Sequence, residues 1–179
     1  MDDVLSEGHN LDDPSVSDFF CPDSNNQSKV FLRTLLVSTA KRGRIIESAY
    51  LTLETPNGAL QAFNIWVYGV RNNLARGSGL FVGDTGVEAN HHFLIANNSF
   101  EFGAGRYTVT VYAHLLGDRK KKLLFSQQLS LSSEEVAMQK QQDCGIYFDW
   151  FPESSRYVTH IDKRKGRTFE RPKDFDLDD

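Results

Sequence analysis

Cysteine is nearly missing from this chain. Cys21 and Cys144 are the only two in 179 residues. They form no Cys-x-x-Cys pair, and no Cys/His group has zinc-finger spacing. Neither a disulfide scaffold nor a structural zinc site is therefore expected to organise the fold. No apolar run approaches the ~20 residues that cross a bilayer as a helix. The start, Met1-Asp2-Asp3, has neither the basic residues nor the apolar run of a secretory signal. The expected setting is the reducing cytoplasm, where the sequons at Asn26 and Asn97 have no consequence. Positive charge is also short: the formal net charge is −4 and the pI about 5.7, whereas a duplex-binding domain carries a basic excess. No nucleic-acid partner is expected. The basic residues are bunched as Lys41-Arg42-Gly43-Arg44, residues 119–122 and Lys163-Arg164-Lys165-Gly166-Arg167. Such short runs commonly occupy charged turns and solvated tails. Converging on one surface, all three would hold a phosphate-rich partner.

What the chain does have is aromatic residues and strand-like alternation. Thirteen Phe, six Tyr and two Trp suit a sheet interior better than a helical bundle. In Gly105-Arg106-Tyr107-Thr108-Val109-Thr110-Val111-Tyr112-Ala113, the period of two puts Tyr107, Val109, Val111 and Ala113 on one face. Thr108, Thr110, Tyr112 and His114 fall on the other. Further strands are expected over 29–38, 48–54, 60–68, 80–82, 91–96 and 123–131. Thr55-Pro56-Asn57-Gly58 turns a hairpin, and residues 146–151 and 157–161 form a last one. Ser132 followed three residues later by Glu135 is a capping box. It opens a short helix over 133–142, whose weak apolar pattern makes it a surface element.

The whole reads as all-β: a two-sheet antiparallel β-sandwich, immunoglobulin-like or C2-like, with one short helix near 133–142. The sandwich domain spans 29–162. Residues 1–28, rich in Asp, Ser and Asn, read as a flexible acidic arm, in which Phe19-Phe20-Cys21 is a patch able to dock on the domain or on a neighbouring copy. Residues 163–179 read as a disordered charged tail. Expected core positions are Val30, Leu32, Leu51, Leu53, Phe63, Ile65, Val67, Tyr107, Val109, Val111, Leu129, Leu131, Phe148 and Trp150.

Gly105-x-Tyr107-x-Val109-x-Val111 resembles the penultimate-strand corner of immunoglobulin-like sandwiches, over about ten residues and without their paired cysteines. The resemblance implies that the Tyr107 hydroxyl bonds back to the backbone at the corner. It implies a superfold and no activity, because function belongs to sites rather than to architectures.

Constellations for chemistry are weak. Asp84-Thr85-Gly86 looks like the triplet of aspartic proteases, where two such acids share a proton. One copy per chain would demand a homodimer, and Gly83 stands where an apolar strand residue belongs, so a polar turn is the plainer reading. The glycines at 77, 79, 83 and 86 lack phosphate-loop spacing, and no helix start follows them. They suit a bulge or a sheet crossover, and no cofactor is expected. His91 and His92, adjacent on a strand, point to opposite faces. Only folding would bring His114 or His160 to either, so no metal set is expected. Cys144 has no visible activating partner for nucleophilic work.

Several strands carry aromatic residues on both faces. Trp66 and Tyr68 oppose Phe63, Ile65 and Val67; Tyr112 opposes the core face of its strand; Tyr147 opposes Ile146, Phe148 and Trp150. Either another element or a second subunit covers this second face, or it is an exposed platform. Trp66, Tyr68, Tyr112 and Tyr147 are therefore the candidate partner-binding residues. The function expected is a non-catalytic protein-interaction or assembly module, self-association included. A carbohydrate-binding module stacking sugars on its aromatics and a dimeric aspartic protease using Asp84 are the alternatives.

Overall fold

A computed structural model describes residues 4–7, 17–22, 28–70, 73–95, 100–142, 144–151, 153 and 156–163. Its strands are β1 (Val4–Glu7), β2 (Ser17–Pro22), β3 (Ser28–Ser38), β4 (Arg44–Glu54), β5 (Leu60–Phe63), β6 (Ile65–Val70), β7 (Asn73–Arg76), β8 (Leu80–Val82), β9 (Val87–Leu94), β10 (Gly105–Leu115), β11 (Lys122–Leu131), β12 (Cys144–Phe151) and β13 (Arg156–Lys163). One helix, α1 (Ser133–Gln142), precedes β12. The strands make two antiparallel sheets. The larger runs β13-β12-β2-β3-β9-β6-β7, with β1 also on β3; the smaller runs β11-β10-β4-β5, with β8 also on β4. The all-β sandwich with one short helix is thus what the alternation predicts. No helix among the described residues is long and apolar enough to cross a membrane.

Alternation builds the interior. Along β10, Tyr107, Val109, Val111, Ala113 and Leu115 are buried and the residues between them are not. Leu51 and Leu53 of β4 lie beside Val111 and Val109. Val30 and Leu32 of β3, with Phe93 of β9, are buried in the same core. Each fully buried large apolar side chain contributes roughly 1.5–3 kcal/mol. Two bulges adjust the small sheet, with Leu124 as the extra residue opposite Val111/Tyr112 and Glu47 the extra residue opposite His114/Leu115. At the start of β10 the Tyr107 hydroxyl donates to the Gly103 carbonyl at 2.8 Å and accepts from the Gly103 N–H at 2.8 Å. The bond back to the backbone implied by the corner motif is present.

One strand faces the other way from the expectation. Trp66 and Tyr68 are 4% and 9% exposed, while Ile65 is 42% exposed and Val67 is only half-buried. Residues 60–68 do not form one strand. Phe63 is buried from β5 in the small sheet, and Asn64 lets the chain cross to the large sheet, where β6 pairs with β9. The crossing resets the parity, so the buried positions become 63, 66 and 68 instead of 63, 65 and 67. Ile65 and Val67 are thereby corrected from core to outer face, and Trp66 and Tyr68 from the second face to core. Of the other expected core positions, all are buried except Trp150, whose side chain lies outside the described residues.

Two parts of the segment read as an arm are strands. β2 inserts between β3 and β12, and β1 pairs with the second half of β3. Backbone hydrogen bonds hold such strands without demanding an apolar composition. The rest of residues 1–27, and 164–179 of the tail, lie outside the described residues. The helix begins on the expected box: Ser132 Oγ accepts from the Glu135 N–H at 3.2 Å, and Glu135 Oε2 accepts from the Ser132 N–H at 2.6 Å. Glu135 Oε1 also accepts from the Thr159 hydroxyl of β13. Val136 packs against the core while most of α1 stays exposed, so the helix is a surface element lying on the last hairpin.

Candidate interaction surface

The outer face of the small sheet carries an ordered cluster of two half-buried tyrosines and an exposed lysine. Register places Tyr50 opposite Tyr112, Thr52 opposite Thr110 and Glu54 opposite Thr108. The two tyrosine rings stack with centroids 5.3 Å apart at 23°, a cross-strand aromatic pair of the kind that stabilises sheets. Lys121, from the turn before β11, lays its ammonium 4.0 Å from the Tyr112 centroid and 5.2 Å from that of Tyr50. It also donates to the Tyr50 hydroxyl at 2.6 Å. That bond holds the Lys121 ammonium above the usual lysine range, so the cluster keeps a fixed positive charge. Leu123, well exposed, lies opposite Tyr112, and Leu60, also exposed, lies opposite Glu54 further along the same face.

Tyr112 thus lies half-buried on the face opposite the core, joined by Tyr50 and Lys121, which sequence reasoning did not single out. The signal for Tyr50 was its place in the 48–54 alternation; its pairing with Tyr112 depends on register. Tyr147, half-buried on β12, stacks on His160 at 5.0 Å and 12°. His160 Nδ1 lies 2.6 Å from Asp149 Oδ2, an acid–imidazole pair that was also not foreseen. Trp66 and Tyr68 belong to neither surface.

Trp66 instead anchors a buried polar chain. Its Nε1–H donates to His91 Nδ1 at 3.0 Å, and His91 Nε2 lies 3.0 Å from the Thr34 hydroxyl. Because Nδ1 accepts, the neutral ring carries its proton on Nε2 and donates to Thr34. Burial, with a smaller push from His92, lowers the His91 pKa to about 4. Leu32, Leu36, Ile46, Leu124 and Phe125 join Trp66 and His91 around a cavity of about 20 Å³, close to the room one water needs and far below that of a substrate pocket. His92 points the other way, edge-on to Phe31 at 4.9 Å, as adjacent strand residues must. No three His, Cys, Asp or Glu among the described residues are grouped to hold a metal. Asp84 is exposed in the β8–β9 turn. The side chains of Cys21 and Cys144 lie outside the described residues.

Two of the three basic runs meet. Arg44 Nη2 bonds Asp118 Oδ1 at 2.6 Å, and the Leu116 N–H donates to the Ile45 carbonyl at 2.9 Å. These contacts bring the β3–β4 and β10–β11 turns to one end of the sandwich.

No family model matches the chain, and neither a curated protein nor a solved structure matches it.

Proposed function

We propose that this protein is a non-catalytic interaction module that grips a protein partner, a second copy of itself included, through the outer face of the small sheet. The carrying observation is the Tyr50–Tyr112–Lys121 cluster with exposed Leu123 beside Tyr112: stacked aromatics and a fixed cation among threonines, on a face that no described element covers. Tyrosine of this kind supplies large contact area at small entropy cost. We read the sandwich as immunoglobulin-like. In support, β2-β3-β9-β6 and β11-β10-β4-β5 follow the strand order A-B-E-D and G-F-C-C′ of that superfold, and the Tyr107 corner fits it. The cytoplasmic setting belongs to the same reading and is supported by the scarcity of cysteine.

The carbohydrate alternative is less well served, because rings stacked on each other do not lie side by side as a flat platform for a sugar. A photo-crosslinking residue at Thr110, with one at Lys140 on α1 as control, tests the reading. Crosslinks to a defined protein or to a second copy from position 110 alone are expected. Equal crosslinking from both positions, or saturable glycan binding without protein crosslinks, refutes it.

A further inference from the structure

We infer that the end of the sandwich built from the β3–β4 and β10–β11 turns docks on an anionic lipid surface. This goes beyond the sheet-face reading: it concerns the turn end of the small sheet, next to the Lys121 that the tyrosine cluster engages. Arg44 is engaged with Asp118 and Lys121 with the tyrosine pair. Lys41, Arg42, Arg119 and Lys120 remain, all exposed, and none of the four is ion-paired among the described residues. Asp118, the acid within these turns, is already neutralised. Asp84 in the β8–β9 turn and Glu47 at the β4 bulge oppose the four cations, which stay in excess. Among the described residues, a chain of net charge −4 therefore presents a local positive end.

The apolar residues at the same end choose the partner. Phe81 of β8 pairs with Ile45 of β4, and Ile45 bonds Leu116 on its other side. Phe81 and Leu116 are each 57% exposed, which makes an apolar row beneath the cations. Phe81 is held in place by the basic turn itself: a Cβ on Gly43 would fall 2.5 Å from its ring. A phosphate backbone recognised by charge alone has no use for exposed leucine and phenylalanine. The boundary of an anionic bilayer takes both, with cations at the headgroups and apolar side chains at the acyl margin.

The test is co-flotation of the full chain with phosphatidylcholine vesicles, with and without about one third phosphatidylserine. Binding to the anionic vesicles alone, weakening as salt rises, is expected. Arg119→Gln with Lys120→Gln should lose roughly 25-fold in partitioning, about five-fold per cation. Leu116→Ser should lose several-fold with the charges intact, and Arg106→Gln, at the opposite end of β10, should change nothing. Circular dichroism confirms that each variant is folded. No partitioning onto anionic vesicles, or partitioning insensitive to both the charge and the leucine variants, overturns the proposal. So does tighter binding at equal salt to an oligonucleotide or a polyglutamate peptide. Crosslinking at Thr110 is a separate readout, so either reading can fail while the other stands.

Discussion

Acid should weaken this sandwich from its centre. His91 is 4% exposed, accepts from Trp66 and meets Thr34 at 3.0 Å. Protonating Nδ1 turns that acceptor into a donor facing another donor, inside an apolar shell. The folded-state pKa, about 4, lies below the ordinary 6.5. The unfolded chain therefore binds the extra proton between those values, and stability rises with pH across that window. The contribution is fully present above pH 6.5 and is lost as pH falls toward 4. At about 1.36 kcal/mol per pH unit the loss from this one ring is about 3 kcal/mol. In a chain of this size that is roughly 6–12 °C in Tm. His92 shifts in the same direction, through burial and then the charge of Lys29, and adds to the slope. Urea unfolding at a series of pH values between 7 and 4, with the m-value checked for constancy, measures it. In His91→Gln the amide can still accept from Trp66 and donate to Thr34, so the fold should persist with a shallower pH slope. An unchanged slope in that variant, or a His91 imidazole resonance titrating near 6.5, would refute the reasoning.

Two further outcomes follow from single contacts. Tyr107→Phe removes both corner bonds to Gly103 without changing ring volume. Because Gly103 is exposed and water can replace the hydroxyl, unfolding stability should fall by about 1–2 kcal/mol, whereas Tyr112→Phe should be near neutral in the same melt. Gly77→Ala would place a Cβ 2.2 Å from the buried Trp66 ring, which cannot swing aside while bonded to His91. A loss of about 1–3 kcal/mol is expected, and a Tm equal to wild type would show that the indole has slack.

Where one face of a strand is buried and the chain stays in one sheet, the pattern was readable. β10 alternates without a fault through eleven residues, the last hairpin pairs Ile146 with Ile161 and Phe148 with Thr159, and Ser132 and Glu135 cap α1 as their spacing requires. The candidate site was half readable. Tyr112 faces outward because its neighbours Val111 and Ala113 face inward. Tyr50 and Lys121 join it only through strand register and a turn that folds back, with Tyr50 and Lys121 71 residues apart along the chain. β1 and β2 were missed because they are short, four and six residues, within a segment rich in Asp, Ser and Asn; the patch Phe19-Phe20-Cys21 is the middle of β2.

Residues 63–68 mark the boundary between what local order settles and what it does not. Every side chain there is apolar or aromatic apart from Asn64, so either parity would bury a greasy face. The choice fell to the step from one sheet to the other at Asn64, which seats Trp66 against His91 and turns Ile65 outward. Periodicity dictates which residues share a face, because the pleat alternates wherever a strand forms. Which face meets the opposing sheet, and which distant turns become neighbours, depends on how the layers close. The local chain carries no term for that closure: it is set by the packing of side chains from distant strands, such as Leu32 of β3 and Val111 of β10, in one core.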